Sequence, residues 1–238
     1  MIPAEVLYAA IDGTWPAAAK TQVGAFVIRD GQGGGKRASA ATTDGPVTDS
    51  DIVAAEAAMR ALGQQPLFMI RSGDSVLDAA LEGRGYDLVD PTNGYAIPTA
   101  GLTDIPIPRV TAFTIWEPLA IMVEIWAKGG IGPERLDVMA RAQTKTGILA
   151  RWNEQPAGVA FAAIHDGIAM VHAVEVLAHQ RRQGVAQWMM RRAAFWAAEN
   201  GAETMAVLTT AANASANPLY QQLGFTSVGG YHYRIRPQ

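Results

Sequence analysis

The run Gln180-Arg181-Arg182-Gln183-Gly184-Val185-Ala186 stands between two segments of different periodicity. Before it, Ile168 to Leu177 is apolar and rich in β-branched residues, as a strand is. After it, Val185, Trp188, Met189, Ala193 and Trp196 recur on one face at helical spacing until Gly201 ends the helix. A glycine turn between a strand and a helix leaves backbone N–H groups unpaired and convergent, and such a group of donors binds phosphate. Gly184 permits close approach of an anion because it has no Cβ, and Ala186 stays small for the same reason. Arg181 and Arg182 can add charge-assisted contacts.

The chain around this run reads as alternating strands and helices. Upstream, Pro118–Lys128 and Pro133–Arg141 are expected to be helices, each with proline in its first turn. Thr146–Trp152, Ala157–Ile164 and Ile168–Leu177 form an antiparallel run, turning at Asn153-Glu154-Gln155-Pro156 and at His165-Asp166-Gly167. Downstream, Glu203–Thr209 is a strand, Ala214–Leu223 a helix and Phe225–Arg236 the closing strands.

The first hundred residues repeat the order strand pair, helix, strand, helix, strand. Val23–Arg29 and Lys36–Thr42 are expected as a strand pair joined by Asp30–Gly35. Helices follow at Asp49–Leu62, capped by Asp or Ser, and at Asp74–Leu81, with strands at Pro66–Arg71 and from Tyr86. The second helix of each half runs into Gly-aromatic, Gly85-Tyr86 and Gly224-Phe225, so the order indicates a diverged internal repeat. Pro91–Pro108 shows no periodicity and reads as an extended linker. The run GQGGGK at residues 31–36 is no phosphate loop: the Walker pattern needs glycine at Asp30 and Ser or Thr at Arg37.

Composition narrows the classes. With 238 residues, 49% hydrophobic and 17% charged, the chain is globular and long enough for one large core or two modest ones. A net charge of −3 without a clustered basic excess argues against nucleic acid as a partner. With no cysteine, disulfides and thiolate zinc sites are excluded, and His165, His172, His179 and His232 lack ligand spacing, so no metal is expected. The N-terminus does not read as a secretory signal and no apolar stretch approaches a membrane span, so no membrane partner and a cytoplasmic location are expected.

Two motifs carry a resemblance. Val176 to Ala186 resembles the pyrophosphate motif of the GCN5-related N-acetyltransferase (GNAT) family, a strand-ending valine, a turn and Arg/Gln-x-x-Gly-x-Gly/Ala. Asn213, Ala216, Tyr220, Leu223, Gly224 and Phe225 are similar to the later Asn…Ala…Tyr…Gly-Phe signature of the same family. The resemblance spans about Phe113 to Arg236, and the first half resembles the degenerate copy of tandem members. It implies an α/β (α+β) fold of two lobes, each a mixed, mostly antiparallel sheet flanked by helices, with a splayed strand pair at the acyl-CoA site. It implies a degenerate lobe at residues 1–100, a linker at 101–110 and a catalytic domain at 111–238.

The implied reaction moves an acetyl group from acetyl-CoA to a primary amine, of a small molecule or a peptide, by direct attack in a ternary complex. The cofactor-binding positions are Val174 and Val176 through their backbone, Arg181, Arg182, Gln183, Gly184, Val185, Ala186 and Asn213. Tyr220 is the candidate acid for the departing thiolate. Strict alternation puts Met170, His172, Val174 and Val176 on one face, making His172 the candidate base, with a water chain as its alternative and Glu175 turned to the other face. The first lobe lacks the cradle motif and has Leu81 where Tyr220 stands, so it is expected to bind no acetyl-CoA. Trp116 and Trp126 are placed in the early helices, mainly as core. A non-catalytic acyl-CoA sensor is the rival reading, and a monomer or homodimer is expected.

Overall fold

A computed structural model describes residues 2–237. In chain order the elements are α1 (Ala4–Thr14), β1 (Ala19–Val23), β2 (Phe26–Asp30), α2 (Lys36–Ser39), β3 (Thr42–Thr43), α3 (Asp49–Ala61), β4 (Leu67–Arg71), α4 (Ser75–Gly83) and β5 (Asp87–Pro98). A short 3-10 turn at Thr99–Leu102 leads to β6 (Ala112–Ile115), α5 (Ala120–Lys128), α6 (Pro133–Arg141), β7 (Thr144–Trp152), β8 (Gln155–His165) and β9 (Ile168–Val176). The chain closes with α7 (Val185–Glu199), β10 (Thr204–Thr210), α8 (Ala216–Gln222) and β11 (Thr226–Ile235).

The two halves share one sheet. A small sheet holds β1-β2-β3, and an eight-stranded sheet runs β4-β11-β5-β10-β9-β8-β7-β6. Strand β11, from the end of the chain, lies between β4 and β5 of the first half, and β5 lies between β10 and β11 of the second. Each half's last strand therefore sits inside the other half's portion of the sheet.

This arrangement corrects the linker expected at Pro91–Pro108, whose first part belongs to an inner strand of the sheet. Tyr95 and Ile97 of β5 join the core under α7, and Ala96 joins the core on the opposite face. The proline hid the strand. Pro91 falls at a bulge, where Asp90 takes φ +49° and Asp90 and Pro91 together oppose His232. A bulge is where a residue without an N–H is tolerated in a sheet.

The strand pair expected around the Gly-rich run is also corrected. The hairpin is β1–β2, turned at Gly24-Ala25 with Gly24 at φ +55°. The glycines at 31–35 instead lead from β2 into the short helix α2, and a strand is replaced by that helix from Lys36. Close approach explains them: a Cβ on Gly34 would strike the side chain of Val138, and one on Gly33 would meet that of Glu134, both on α6. The loop thus presses onto the second half and delivers Arg37. Helix α3 is capped by Thr48, not by Asp or Ser, in a capping box with Asp51.

Helix α1 was not among the expected elements. Its buried stripe of Leu7, Ala10, Ile11 and Thr14 has helical spacing. It packs on the sheet face carrying Met170, Ala206, Val228, Tyr231 and Tyr233, residues of β9, β10 and β11. The first half keeps a core of its own around Phe26, Ile52, Met59, Phe68, Leu81 and Tyr86. Trp126 is fully buried in α5, but Trp116 lies beyond the end of β6, outside any helix, and is 36% exposed.

Candidate active site

A cleft of about 710 Å³ opens where β9 and β10 part. The parallel pairing runs from Thr204↔Ile168 to Val207↔Val171 and stops, so the C-terminal ends of both strands diverge. Residues 171–176 of β9, the turn after it, the start of α7, Leu208, Thr209 and the region of α8 line the opening. Val174, Val176, Arg181, Arg182, Gly184, Val185, Ala186, Asn213, Tyr220 and His172 all border it. Gln183, the remaining candidate, is exposed at the tip of the turn and does not.

The turn is built as a donor group. Arg182 takes φ +64° and Gly184 φ +77°, so successive peptide planes rotate and their N–H groups converge. Among the described residues, the Arg181 amide bonds the Ala178 carbonyl and the Trp188 amide bonds that of Gly184, while the amides between them, of residues 182–187, take no backbone acceptor. The N-terminus of the fifteen-residue α7 adds its partial positive charge at the same point. Arg181 folds back, its Nε donating to the Val176 carbonyl at 3.1 Å.

Strand β9 does not alternate as expected. Phe161 pairs with His172 and Val159 with Glu175, so Ala173 and Val174 together oppose Ala160, and Ala173 takes φ +51°. This bulge reverses the faces beyond it. His172 stays with Met170 on the face toward α1, while Val174 and Val176 join Val171 in the core under α7. The shared face for all four is corrected, and so is the placing of Glu175 opposite His172. Glu175 returns to the side of His172, where Gly129 at the end of α5 lies against its carboxyl group. Burial pushes its pKa above the ordinary carboxylate value, and Arg181 pulls the other way. The Trp126 indole donates to the Ala173 carbonyl at 2.8 Å and secures the bulge.

His172 is 4% exposed and both ring nitrogens are engaged. Arg37 Nη1 lies 3.1 Å from Nδ1 and Thr14 Oγ1 lies 2.9 Å from Nε2. A guanidinium only donates, so Nδ1 accepts and the neutral ring carries its proton on Nε2, donated to Thr14. The Thr14 hydroxyl donates in turn to the Ala10 carbonyl at 2.6 Å. Burial, and then the charge of Arg37, holds the His172 pKa well below its ordinary value.

Tyr220 is 4% exposed, with its ring 5.6 Å from that of Phe225 and 6.1 Å from that of Tyr95. Its pKa is pushed up to about 12 by burial alone, with no protein hydrogen bond contributing. Tyr95, by contrast, donates to Asn217 Oδ1 at 2.9 Å. Asn213 Oδ1 accepts from the Ser215 and Ala216 amides at 3.2 and 3.0 Å, so this side chain caps the entry to α8 while bordering the cleft. Arg37, Thr14 and Trp15 were absent from the candidate residues. The helical spacing of Leu7 to Thr14 was the one signal pointing to part of this group.

The corresponding place in the first half is a second open cleft, of about 770 Å³. A lone parallel bridge, Ala41↔Phe68, precedes a cleft beside the start of α3. There the Asp51 amide donates to Thr48 Oγ1, and Asp44, Asp49 and Asp74 border the opening. Leu81 is fully buried in the core.

With this geometry in place, comparison with known proteins is informative. Residues 116–225 match the model of the acetyltransferase (GNAT) family. An uncharacterized N-acetyltransferase, YobR of Bacillus subtilis (strain 168), is 26% identical over 237 residues, covering 94% of each chain. A GCN5-related N-acetyltransferase from Kribbella flavida has the same fold, at 19% identity and TM-score 0.73, covering all of this chain and 96% of its own. A tandem GNAT protein from the clavulanic acid biosynthesis pathway aligns with TM-score 0.63 at 12% identity, over 90% of this chain and 78% of that one. The GNAT match covers both the amide turn and Tyr220. Among the described residues no helix is long and apolar enough to cross a membrane, and no cluster of three or more His, Asp or Glu is placed to hold a metal ion.

Proposed function

We propose that the protein is an N-acetyltransferase moving an acetyl group from acetyl-CoA to a primary amine in a ternary complex. One observation carries this reading: the unpaired amides of residues 182–187 and the unpartnered Tyr220 hydroxyl border the same cleft at the parting of β9 and β10. The amides, with Arg181 and Arg182, hold the diphosphate. The exposed backbone of Val174 and Val176 orients the pantetheine arm, and an amide there faces the thioester oxygen as it gains charge. Asn213 keeps its Nδ2 for the cofactor while its Oδ1 caps α8.

The acceptor ammonium first loses a proton. His172 is neutral and bonded on both sides, so in this reading it positions Arg37 and Thr14, and Glu175, directly or through water, takes that proton. The amine nitrogen then forms its bond to the thioester carbon. As the carbon–sulfur bond breaks, Tyr220 protonates the thiolate, and the proton still held on nitrogen restores the phenol. The first half binds no acetyl-CoA, since the start of α3 is already capped and bordered by carboxylates, and it supplies one wall of the acceptor site. The likeness in fold to a tandem GNAT protein supports reading the halves as two copies of one unit.

A calorimetric titration with acetyl-CoA, combined with a thiol-release screen over amino acids, polyamines, aminoglycosides, arylalkylamines and peptide N-termini, tests the proposal. One equivalent bound with release for one amine class is expected. Binding without release across the panel would select a sensor, and two equivalents would refute a first half that binds no acetyl-CoA.

A further inference from the structure

Arg37 is a half-buried cation that forms no ion pair among the described residues. Helix α2 brings it to the cleft from the first half, where it borders the opening beside His172. Its Nε donates to the Tyr231 hydroxyl at 3.3 Å and its Nη1 to His172 Nδ1 at 3.1 Å, and the guanidinium carbon lies 5.8 Å from the centre of the Trp15 ring. The groups acting on its charge after burial are the phenols of Tyr231 and Tyr233. Asp90 is paired with Lys36 and Asp12 with Arg29 and Lys20, while Glu175 borders the same cleft and forms no ion pair with Arg37. Five N–H donors and one charge thus meet two neutral acceptors and an aromatic face. Nη2 and one N–H of Nη1 have no acceptor within hydrogen-bond distance among the described residues, with the Tyr233 phenol close beside the guanidinium.

A half-buried guanidinium that faces a cleft without a counter-ion is an attractive partner for an anion arriving with a ligand. We infer that Arg37 binds a carboxylate carried by the acceptor, so that the substrate class is amino acids or other amines bearing a carboxylate. The inference rests on the acetyl-transfer reading of this cleft. A single charge with a two-pronged face suits a monoanion of carboxylate shape. The diphosphate has its own donors at the opposite end, where Arg181 and Arg182 stand. Arg37 is joined to β9 directly before the bulge at Ala173, so an anion on it lies close to the thioester position expected at Val174. His172 acts here as a positioning residue. Held as the Nε2–H tautomer by Thr14, it presents a lone pair that fixes the Arg37 fork.

The test uses matched acceptors of the same skeleton, amino acids against their amides and their decarboxylated amines. Thiol release is measured together with calorimetric binding to the full-length protein saturated with coenzyme A. The wild type is expected to favour the carboxylate member by about tenfold to a hundredfold in kcat/KM, as befits a charge-assisted pair. Arg37→Gln should erase the preference through KM while the Kd for acetyl-CoA holds, and Arg37→Lys, which keeps the charge but not the fork, should retain part of it. Release from amines with no carboxylate preference, or a preference that survives Arg37→Gln, overturns the inference and leaves acetyl transfer standing. Neither acetyl-CoA binding nor release with any acceptor overturns both. The wild-type comparison stands even where Arg37→Gln fails to fold.

Discussion

Tyr220→Phe separates catalysis from stability. The ring is 4% exposed, and burial alone raises its pKa to about 12, with no hydrogen bond from the protein. A phenol with that pKa stays protonated through the working range and is available as an acid, whereas a phenylalanine supplies no proton. Loss of a positioned general acid costs about a hundredfold to ten-thousandfold in kcat, or about 3–5 kcal/mol of barrier. Packing against Tyr95 and Phe225 is kept by the new ring. The wild-type hydroxyl borders the open cleft and makes no hydrogen bond to the protein, so its removal should leave stability within about 1 kcal/mol of wild type, or within about 2–4 °C in Tm for a chain of this size. The assays are thiol release at saturating acetyl-CoA and acceptor, calorimetric acetyl-CoA affinity, and thermal melting of the free protein. A kcat within threefold of wild type would remove Tyr220 as the acid. A Tm several degrees lower would show that the hydroxyl has a structural partner, and the reasoning about its unpaired state would fail.

Gly184 occupies φ +77° with open space around its missing Cβ, the nearest atom being Gln187 Oε1 at 3.9 Å. Gly184→Ala should therefore cost about 1 kcal/mol from backbone conformation rather than collision, and acetyl-CoA affinity measured by calorimetry should fall at least tenfold; unchanged affinity would place the diphosphate elsewhere. A Cβ on Gly129 would fall on the Glu175 carboxyl, although φ at Gly129 is an ordinary −83°. Gly129→Ala should lower kcat with acetyl-CoA affinity intact, and full activity would argue against Glu175 as the proton acceptor. His172 has a folded pKa depressed below its unfolded value of about 6.5, so its contribution to stability is present above that pH and is lost as pH falls below it. Urea midpoints should drop between about pH 6.5 and 5 in the wild type, and His172→Gln should flatten that limb; an unchanged slope would mean that His172 is not held neutral.

Much of the second half was legible because its signals are local. The hairpin turns at Asn153-Glu154 and Asp166-Gly167 take positive φ at both central positions, which Asn, Asp and Gly favour. The helix at Pro133–Arg141 has the expected bounds, and the glycine turn before α7 and the approach of Tyr220 to Gly224-Phe225 stand where short-range spacing put them. Each needs only a few neighbouring residues to agree.

What escaped the reading involves partners far apart in the chain. The later part of β5, residues 91–98, reads as a linker because proline reads as a breaker until the neighbouring strand supplies a bulge to hold it. The faces of β9 were reversed by one extra residue at Ala173, and a period of two in the sequence does not say where such a residue falls. Thr14, Arg37 and His172 come from three distant segments and converge only once α1 and the Gly-rich loop dock on the second half. The linear chain specifies the cradle for the donor, because a helix terminus and a glycine carry their donors wherever they go. The wall facing the acceptor arises from the interleaving of β5 and β11, since charge and burial at Arg37 are properties of what surrounds it rather than of the residues beside it in the chain.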